Sequence, residues 1–267
     1  MEPSTLTAAL GTLLLAGVFV LPWPREVIDE RTPWFRSFVS FAAGVSLAYV
    51  FIDLLPELGG LGDELLEEEA FALPFPEYLP YIVALFGFIL FYGLERLVRW
   101  HHPDEYPTAT AREGHAAGMQ HEGDDRGWEE EEERTDYRIK LSGMAAYTGF
   151  ILFLMTGGIR EGSEEGLAVY VVAMLLHFTA MRHGLRFEFP DAYMHRGRWI
   201  MAGAAVGGAI LGMLYELPVS LEVLLLGLLG GMLIMNTTVI ELPSEKEGRF
   251  GVFALGGVLY TALLLLI

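Results

Sequence analysis

Cysteine is absent from this 267-residue sequence, and lysine is scarce, with only Lys140 and Lys246 beside fifteen arginines. Without cysteine, the sequence carries no indicator of the redox compartment. Basic residues are also missing ahead of the first apolar stretch, where only Glu2 is charged, so we expect that stretch to be retained rather than cleaved as a secretory signal. The formal net charge of −18 argues against nucleic acid as a partner.

Apolar residues make up 53% of the chain and fall into eight long stretches. Each stretch is close to the roughly 20 residues that a helix needs to cross the hydrocarbon core. Too little chain remains for a large soluble domain, so we predict one transmembrane domain over residues 1–267 that is all-α, polytopic and embedded in a lipid bilayer. The predicted spans are 5–22, 35–55, 77–99, 141–159, 167–185, 199–216, 219–241 and 250–267.

The basic residues give the predicted orientation. When the loops are assigned alternately to two sides, sixteen of the seventeen Lys and Arg residues fall on one side, and only Arg160 falls on the other. Basic residues beside membrane spans remain cytoplasmic. We therefore expect an inner (plasma) membrane protein with both termini outside.

The longest connection, residues 101–140, lies on the cytoplasmic side in this scheme. It has no apolar periodicity, so we predict a largely flexible loop. Its histidines and acids form either a weak zinc-binding segment or a solvated polar loop, and both interpretations are open. The histidines are His101, His102, His115 and His121.

Spans 2 and 7 resemble each other. Span 2 reads GVSLAYVFIDLLPEL from Gly44, and span 7 reads GGMLIMNTTVIELPSE from Gly230. Each places an acid at a Leu-Pro element near its end, although the two spans run in opposite directions. Similar segments in opposite orientations indicate an inverted repeat, which many transporters use.

These residues resemble the ZIP family of divalent-metal transporters. Span 2 is similar to the family's second helix, with Asp53 in its polar position followed by Pro56 and Glu57. Span 3, with Glu95 near its cytoplasmic end, and span 7 are similar to the third and seventh helices. The resemblance implies eight helices in an inverted 3+2+3 repeat, no enzymatic activity and no resident cofactor, with zinc or another divalent metal as the substrate.

The chain departs from the family in the metal centre that the resemblance implies. The family has a His-Asn-x-x-Asp motif in helix 4, but span 4 reads AAYTGFILFLMTGGI and contains none of these residues. The family's helix 5 motif is His-Glu-x-Pro-Glu, of which only His177 is present. The family's usual zinc centre therefore cannot be carried over to this chain.

His177 is the first candidate ligand, because an ionisable group at membrane depth is costly unless it serves a cavity or a partner. It is either a metal- or proton-binding site or a neutral histidine bonded to Tyr147 or Thr148 on span 4. Met181 lies four residues on, on the same helical face. With Met155 and Met174 it would form a soft set suited to Cu(I), although methionine commonly serves only to pack.

Asp53 and Glu57 are also four residues apart, at the predicted extracellular end of span 2, with Pro56 expected in its last turn. They either attract cations to a path or form a polar pair in water. In span 7 we expect Asn236 and Thr238 to face the bundle, as structural hydrogen-bonding groups or as pathway lining, with Glu241 at the end.

Two functions are consistent with these residues. The first is a ZIP-like transporter of a metal cation with an altered central site. The second is a non-transporting membrane protein of the same fold, with a binding or regulatory role. An intramembrane metal hydrolase ranks last, because three His, Asp or Glu residues cannot be assembled at one depth. Small residues in span 6 would permit a homodimer as well as close internal packing.

Overall fold

The computed structural model describes residues 3–21, 33–67, 75–101, 126–158, 164–215, 217–241 and 249–266. Within these ranges the regular structure is helical, and the helices follow the eight predicted spans, so we number them α1 to α8. Their bounds are α1 Pro3–Val20; α2 Pro33–Tyr49 with a π-helical turn Val50–Leu54 and a continuation Leu55–Glu67; α3 Leu79–His101; α4 Arg126–Gly158; α5 Glu164–Glu188; α6 Pro190–Ala192, Tyr193–Gly197 and Arg198–Leu214; α7 Val219–Met235 with the π-helical turn Asn236–Glu241; and α8 Phe250–Leu264.

Six of the described helices, α2 to α7, are long and apolar enough to cross a membrane, and α1 and α8 contribute shorter apolar helices. Hydrocarbon offers the backbone no hydrogen bonds, so a helix, which satisfies its own polar groups, is the structure that such stretches must adopt. The prediction of an all-α polytopic membrane protein is confirmed.

Three predicted boundaries are wrong, each because a helix continues through polar sequence. Helix α2 runs past Pro56 to Glu67, so Pro56 does not lie in its last turn. Helix α4 begins at Arg126, so residues 126–140 of the predicted flexible loop are helical; residues 102–125 lie outside the described ranges. Helix α6 begins at Pro190, well before the apolar stretch that was predicted to start at residue 199. Glu, Arg and Lys are good helix formers, so a helix can continue through them, but a prediction based on apolar stretches ends where the apolar residues end.

Helix α2 continues past Pro56 because its backbone widens just before the proline. In the π-helical turn Val50–Leu54, the N–H of Leu55 donates to the carbonyl of Val50, five residues back. Proline has no N–H to donate and crowds the preceding turn of a regular helix. A wider turn accommodates it, and such turns are frequent at functional sites.

The helix packing follows the predicted repeat, which relates α1–α3 to α6–α8 and α4 to α5. Helix α3 packs along α7, and α8 packs along α2. Helix α4 packs along α6, and α1 packs along α5. If the two repeats are exchanged, the α3–α7 contact becomes the α8–α2 contact, and the α4–α6 contact becomes the α5–α1 contact. An inverted 3+2+3 arrangement requires this correspondence.

Two equivalent glycines lie at close helix crossings. A Cβ on Gly44 of α2 would overlap the carbonyl oxygen of Phe253 on α8, and a Cβ on Gly231 of α7 would overlap the carbonyl oxygen of Ala84 on α3. Small residues allow membrane helices to approach to backbone contact. The two crossings therefore fix the position of α2 and of α7 in the bundle.

The same two glycines align the repeats residue by residue. Gly44 stands twelve residues ahead of Pro56, and Gly231 stands twelve residues ahead of Pro243. A π-helical turn lies between each glycine and its proline in sequence. The similarity of spans 2 and 7 therefore reflects a shared local design, with a close crossing followed by a widened turn.

Candidate metal pathway

His177 lies in the middle of α5 and is completely buried. Its Nε2 is 2.8 Å from the hydroxyl oxygen of Tyr147 on α4, which is also completely buried. The two rings meet edge to face, with their centroids 5.7 Å apart. The sequence left Tyr147 and Thr148 open as partners. The hydrogen bond is to Tyr147, and it joins the two central helices.

One face of α5 carries a continuous row of candidate side chains. Tyr170, Met174, His177 and Met181 follow one another at spacings of four, three and four residues, which places them above one another on a helix. Met174, His177 and Met181 are buried, and Tyr170 is partly buried. Met155 of α4 is buried in the same apolar cluster.

We call the end of the bundle that holds Asp53 and Glu57 the acidic end. Asp53 is half-buried in the π-helical turn of α2, and Glu57 is exposed one turn later. Glu57 is close enough to Asp53 and to Glu222 of α7 for the charges to interact. The predicted pair therefore has a third carboxylate, on α7, within electrostatic range, and we call these three residues the acidic cluster.

Three tyrosines lie within electrostatic range of Asp53: Tyr49 of α2, Tyr170 of α5 and Tyr260 of α8. The rings of Tyr49 and Tyr170 meet edge to face at 5.5 Å. The hydroxyl of Tyr260 donates to the carbonyl of Val169 at 3.3 Å. Because Tyr170 belongs to the row that contains His177, it connects the acidic end to the buried centre.

In α7 the structure confirms one of the two inward-facing residues and corrects the other. Asn236 is buried, as predicted, but Thr238 is exposed and donates to the carbonyl of Ile234 at 2.6 Å. Thr237 is buried instead. Successive residues of a helix are about 100° apart, so Asn236 and Thr237 can both reach the bundle, whereas Thr238, about 200° from Asn236, points away from it. Glu241 ends this turn, and its side chain lies outside the described part of the structure.

Three buried hydroxyls, those of Ser46, Thr148 and Thr237, have no hydrogen-bond partner among the described residues. They belong to α2, α4 and α7 respectively. Most buried polar atoms in proteins are hydrogen-bonded, so an unsatisfied hydroxyl indicates a place where a polar ligand or water can bind.

The predicted site residues occupy three separate places. Asp53 and Glu57 lie at the acidic end, His177 and Met181 lie halfway along α5, and Asn236 lies in the last described part of α7. Among the described residues, no three His, Cys, Asp or Glu side chains lie together as a metal site would require. The loop histidines at 102, 115 and 121 lie outside those residues.

Sequence reasoning missed the tyrosines and Glu222 around the acidic pair, as well as the buried Lys140 of α4. Only Tyr170 carried a usable signal, since it lies seven residues before His177 and so shares its helical face. The remaining residues come from different helices, and packing alone brings them together.

The sequence profile of the ZIP zinc transporter family matches residues 4–149, more than half of the chain. The matched region begins in α1 and ends within α4, so it includes the first three-helix unit and Tyr147. No curated protein matches the sequence. The profile match, the eight helices within the described residues and the paired packing of the repeats lead to one conclusion: the chain belongs to the ZIP family and is a multi-pass membrane protein of a family of metal transporters.

Proposed function

We propose that this protein carries a metal cation across the membrane through an altered central site at His177. One observation carries the proposal: the row Tyr170, Met174, His177 and Met181 leads from the acidic end into the middle of the bundle. Asp53 and Glu57 collect cations at the mouth, and His177 is the imidazole ligand at the centre. Asn236 lines the second half of the path on α7, and Glu241 follows it in sequence as a further carboxylate.

The composition of the path determines the class of substrate. Imidazole and carboxylate ligands favour zinc and similar divalent metals. The unsatisfied hydroxyls of Ser46, Thr148 and Thr237 supply further oxygen atoms to a passing ion. Zinc is therefore the first substrate to test, and Cu(I) is the alternative that the row of methionines suggests.

The orientation follows from the basic residues. Arg96, Arg138 and Arg186 lie at the end of the bundle opposite Asp53, which we call the basic end. Arginine beside a span marks the cytoplasmic face. The acidic end therefore faces outward in an inner membrane, and both chain termini lie on that same outer side.

Neutralising the acidic pair tests the mouth of the path. In sealed vesicles, Asp53→Asn with Glu57→Gln should slow zinc uptake about tenfold, because the mouth loses two of its three carboxylates and with them its attraction for cations. The measurement is the initial rate of uptake at low ionic strength, followed with a zinc-sensitive dye inside the vesicle. Added salt should slow the parent more than the variant, since it screens the same attraction.

The matched control is Asp63→Asn, which removes an exposed acid from the same helix outside the cluster. Its uptake rate should equal that of the parent. A double variant as fast as the parent would remove Asp53 and Glu57 from the path. A parent rate equal to that of protein-free vesicles, for every metal tried, would overturn the transport proposal itself.

The second candidate is a non-transporting protein that keeps the ZIP fold and binds or regulates. The observation that favours it is the burial of His177, whose ring neighbours Tyr147 and Phe178 are themselves completely buried. A carrier also closes around its centre during its cycle, so the transport proposal accommodates the same packing. The uptake measurement separates the two functions.

A further inference from the structure

Lys140 is a buried cation at the basic end that the proposed path does not use. It is one of only two lysines in the sequence, and it is 5% exposed. Its Nζ is 2.5 Å from a carboxylate oxygen of Glu188 on α5 and 3.4 Å from the carboxylate of Glu95 on α3. We call Lys140, Glu95 and Glu188 the Lys140 triad.

The triad joins three helices where an ion pair is costly. Burying charges requires desolvation that their attraction offsets only with good geometry, so such a network is weak evidence for stability. As long as the ion pairs of the triad are formed, however, they hold α3, α4 and α5 in one arrangement. Breaking it would free α3, α4 and α5 to separate at this end.

The triad and the central histidine both connect helices α4 and α5. Lys140, Met144 and Tyr147 share one face of α4, at spacings of four and three residues, and His177, Met181 and Glu188 share one face of α5, at spacings of four and seven. The two helices are therefore joined at two heights, by the Tyr147–His177 hydrogen bond and by the Lys140–Glu188 ion pair. Met144 and Met181 are buried between these two contacts.

Little open space lies beside the triad. A cavity of about 10 Å³ is lined by Phe91, Leu94, Glu95, Lys140 and Met144. This volume is at the lower limit for a single water molecule. The space beside the triad is therefore too small for a hydrated ion in this conformation.

We propose that the Lys140 triad is a gate at the basic end, closed when Lys140 holds Glu188 and open when that pair separates. The gate rests on the transport function proposed above, because a gate requires a path. Its test needs no metal and no uptake, so the failure of either proposal is distinguishable from the failure of the other.

The native chain has no cysteine, so a single engineered cysteine can report opening. Met144→Cys places a thiol one turn inward from Lys140. A membrane-impermeant thiol reagent is applied to the basic face of reconstituted vesicles, and its labelling rate is measured. Adding Glu188→Gln should raise this rate about tenfold, since a charge-assisted bond that favours the closed state is lost while Lys140 keeps Glu95. Reagent on the acidic face should label as slowly as before.

Asp191→Asn is the matched control, because it neutralises an exposed acid just beyond α5. The rate with this change should equal that of the Met144→Cys chain, and Lys140→Arg, which preserves the charge, should also label slowly. Lys140→Met should label as fast as Glu188→Gln. An unchanged rate in Glu188→Gln, or an equal rise in Asp191→Asn, overturns the gate. Misfolding of both neutralising variants overturns it as well, because the triad would then serve folding.

Discussion

Vesicles that contain the His177→Gln protein should take up zinc about 100-fold more slowly than vesicles that contain the parent. Loss of a residue that only supports a metal ligand costs 10- to 100-fold in metal affinity, so loss of the central ligand should cost at least the upper figure. Gln keeps a polar oxygen within reach of the Tyr147 hydroxyl, which now bonds His177 Nε2 at 2.8 Å. The initial rate of uptake and the thermal unfolding temperature are measured on the same preparation.

Two further variants distinguish a role of His177 in binding the metal from a role in packing. His195→Gln changes an exposed histidine of α6 and should leave uptake unchanged. Tyr147→Phe removes only the hydroxyl that orients His177 and should slow uptake about tenfold, the lower end of the range for a supporting residue. A His177→Gln protein that transports zinc at the parent rate would make His177 a structural histidine and would refute the altered centre.

Gly231→Val should prevent the protein from folding into a stable bundle. Even the first carbon of a side chain at this position would overlap the carbonyl oxygen of Ala84 and crowd the backbone nitrogen of Phe88. Both obstacles are backbone atoms of α3, so no side chain can rotate to make room. Overpacking costs about 1–3 kcal/mol where side chains can adjust, and we expect at least the upper value here. The measurement is the monodisperse fraction and the unfolding temperature in detergent.

Gly93→Val provides the matched control on α3. A Cβ at Gly93 meets nothing within 4 Å, and the site is exposed. Valine is a better helix former than glycine, so this variant should be as stable as the parent or slightly more stable. If Gly231→Val unfolded at the parent temperature, the helices α3 and α7 would not cross as closely as described.

The helices could be predicted from the sequence because about 20 apolar residues with few charges have only one stable structure in hydrocarbon, the helix. The wrong helix boundaries lie where the apolar stretches end. Helix α4 continues back to Arg126 through a run of glutamates, which favours helix without being apolar. Helix α2 passes Pro56 through a widened turn that no local sequence pattern indicated.

The candidate site could be predicted only in part. His177, with Tyr147 or Thr148 as its alternative partners, was identified because an ionisable group in a membrane span needs a cavity or a partner. The surroundings of Asp53 were not, since Tyr49, Tyr170 and Tyr260 come from three helices far apart in sequence. Thr238 was assigned to the wrong face, because residues two apart on a helix point in nearly opposite directions, so Asn236 and Thr238 could not both face the bundle.

The continuous length of α2 has a practical consequence. From Pro33 to Glu67 it measures about 50 Å, whereas the hydrocarbon layer is only about 30 Å thick. Helix α4, from Arg126 to Gly158, has nearly the same length, and its polar segment projects in the opposite direction. The polar end of each helix therefore extends beyond a different leaflet of the membrane, and we call each of these ends a stalk. Antibody fragments raised against either stalk would recognise intact cells or inverted vesicles, but not both, and would reveal the sidedness of the native chain without a fused tag.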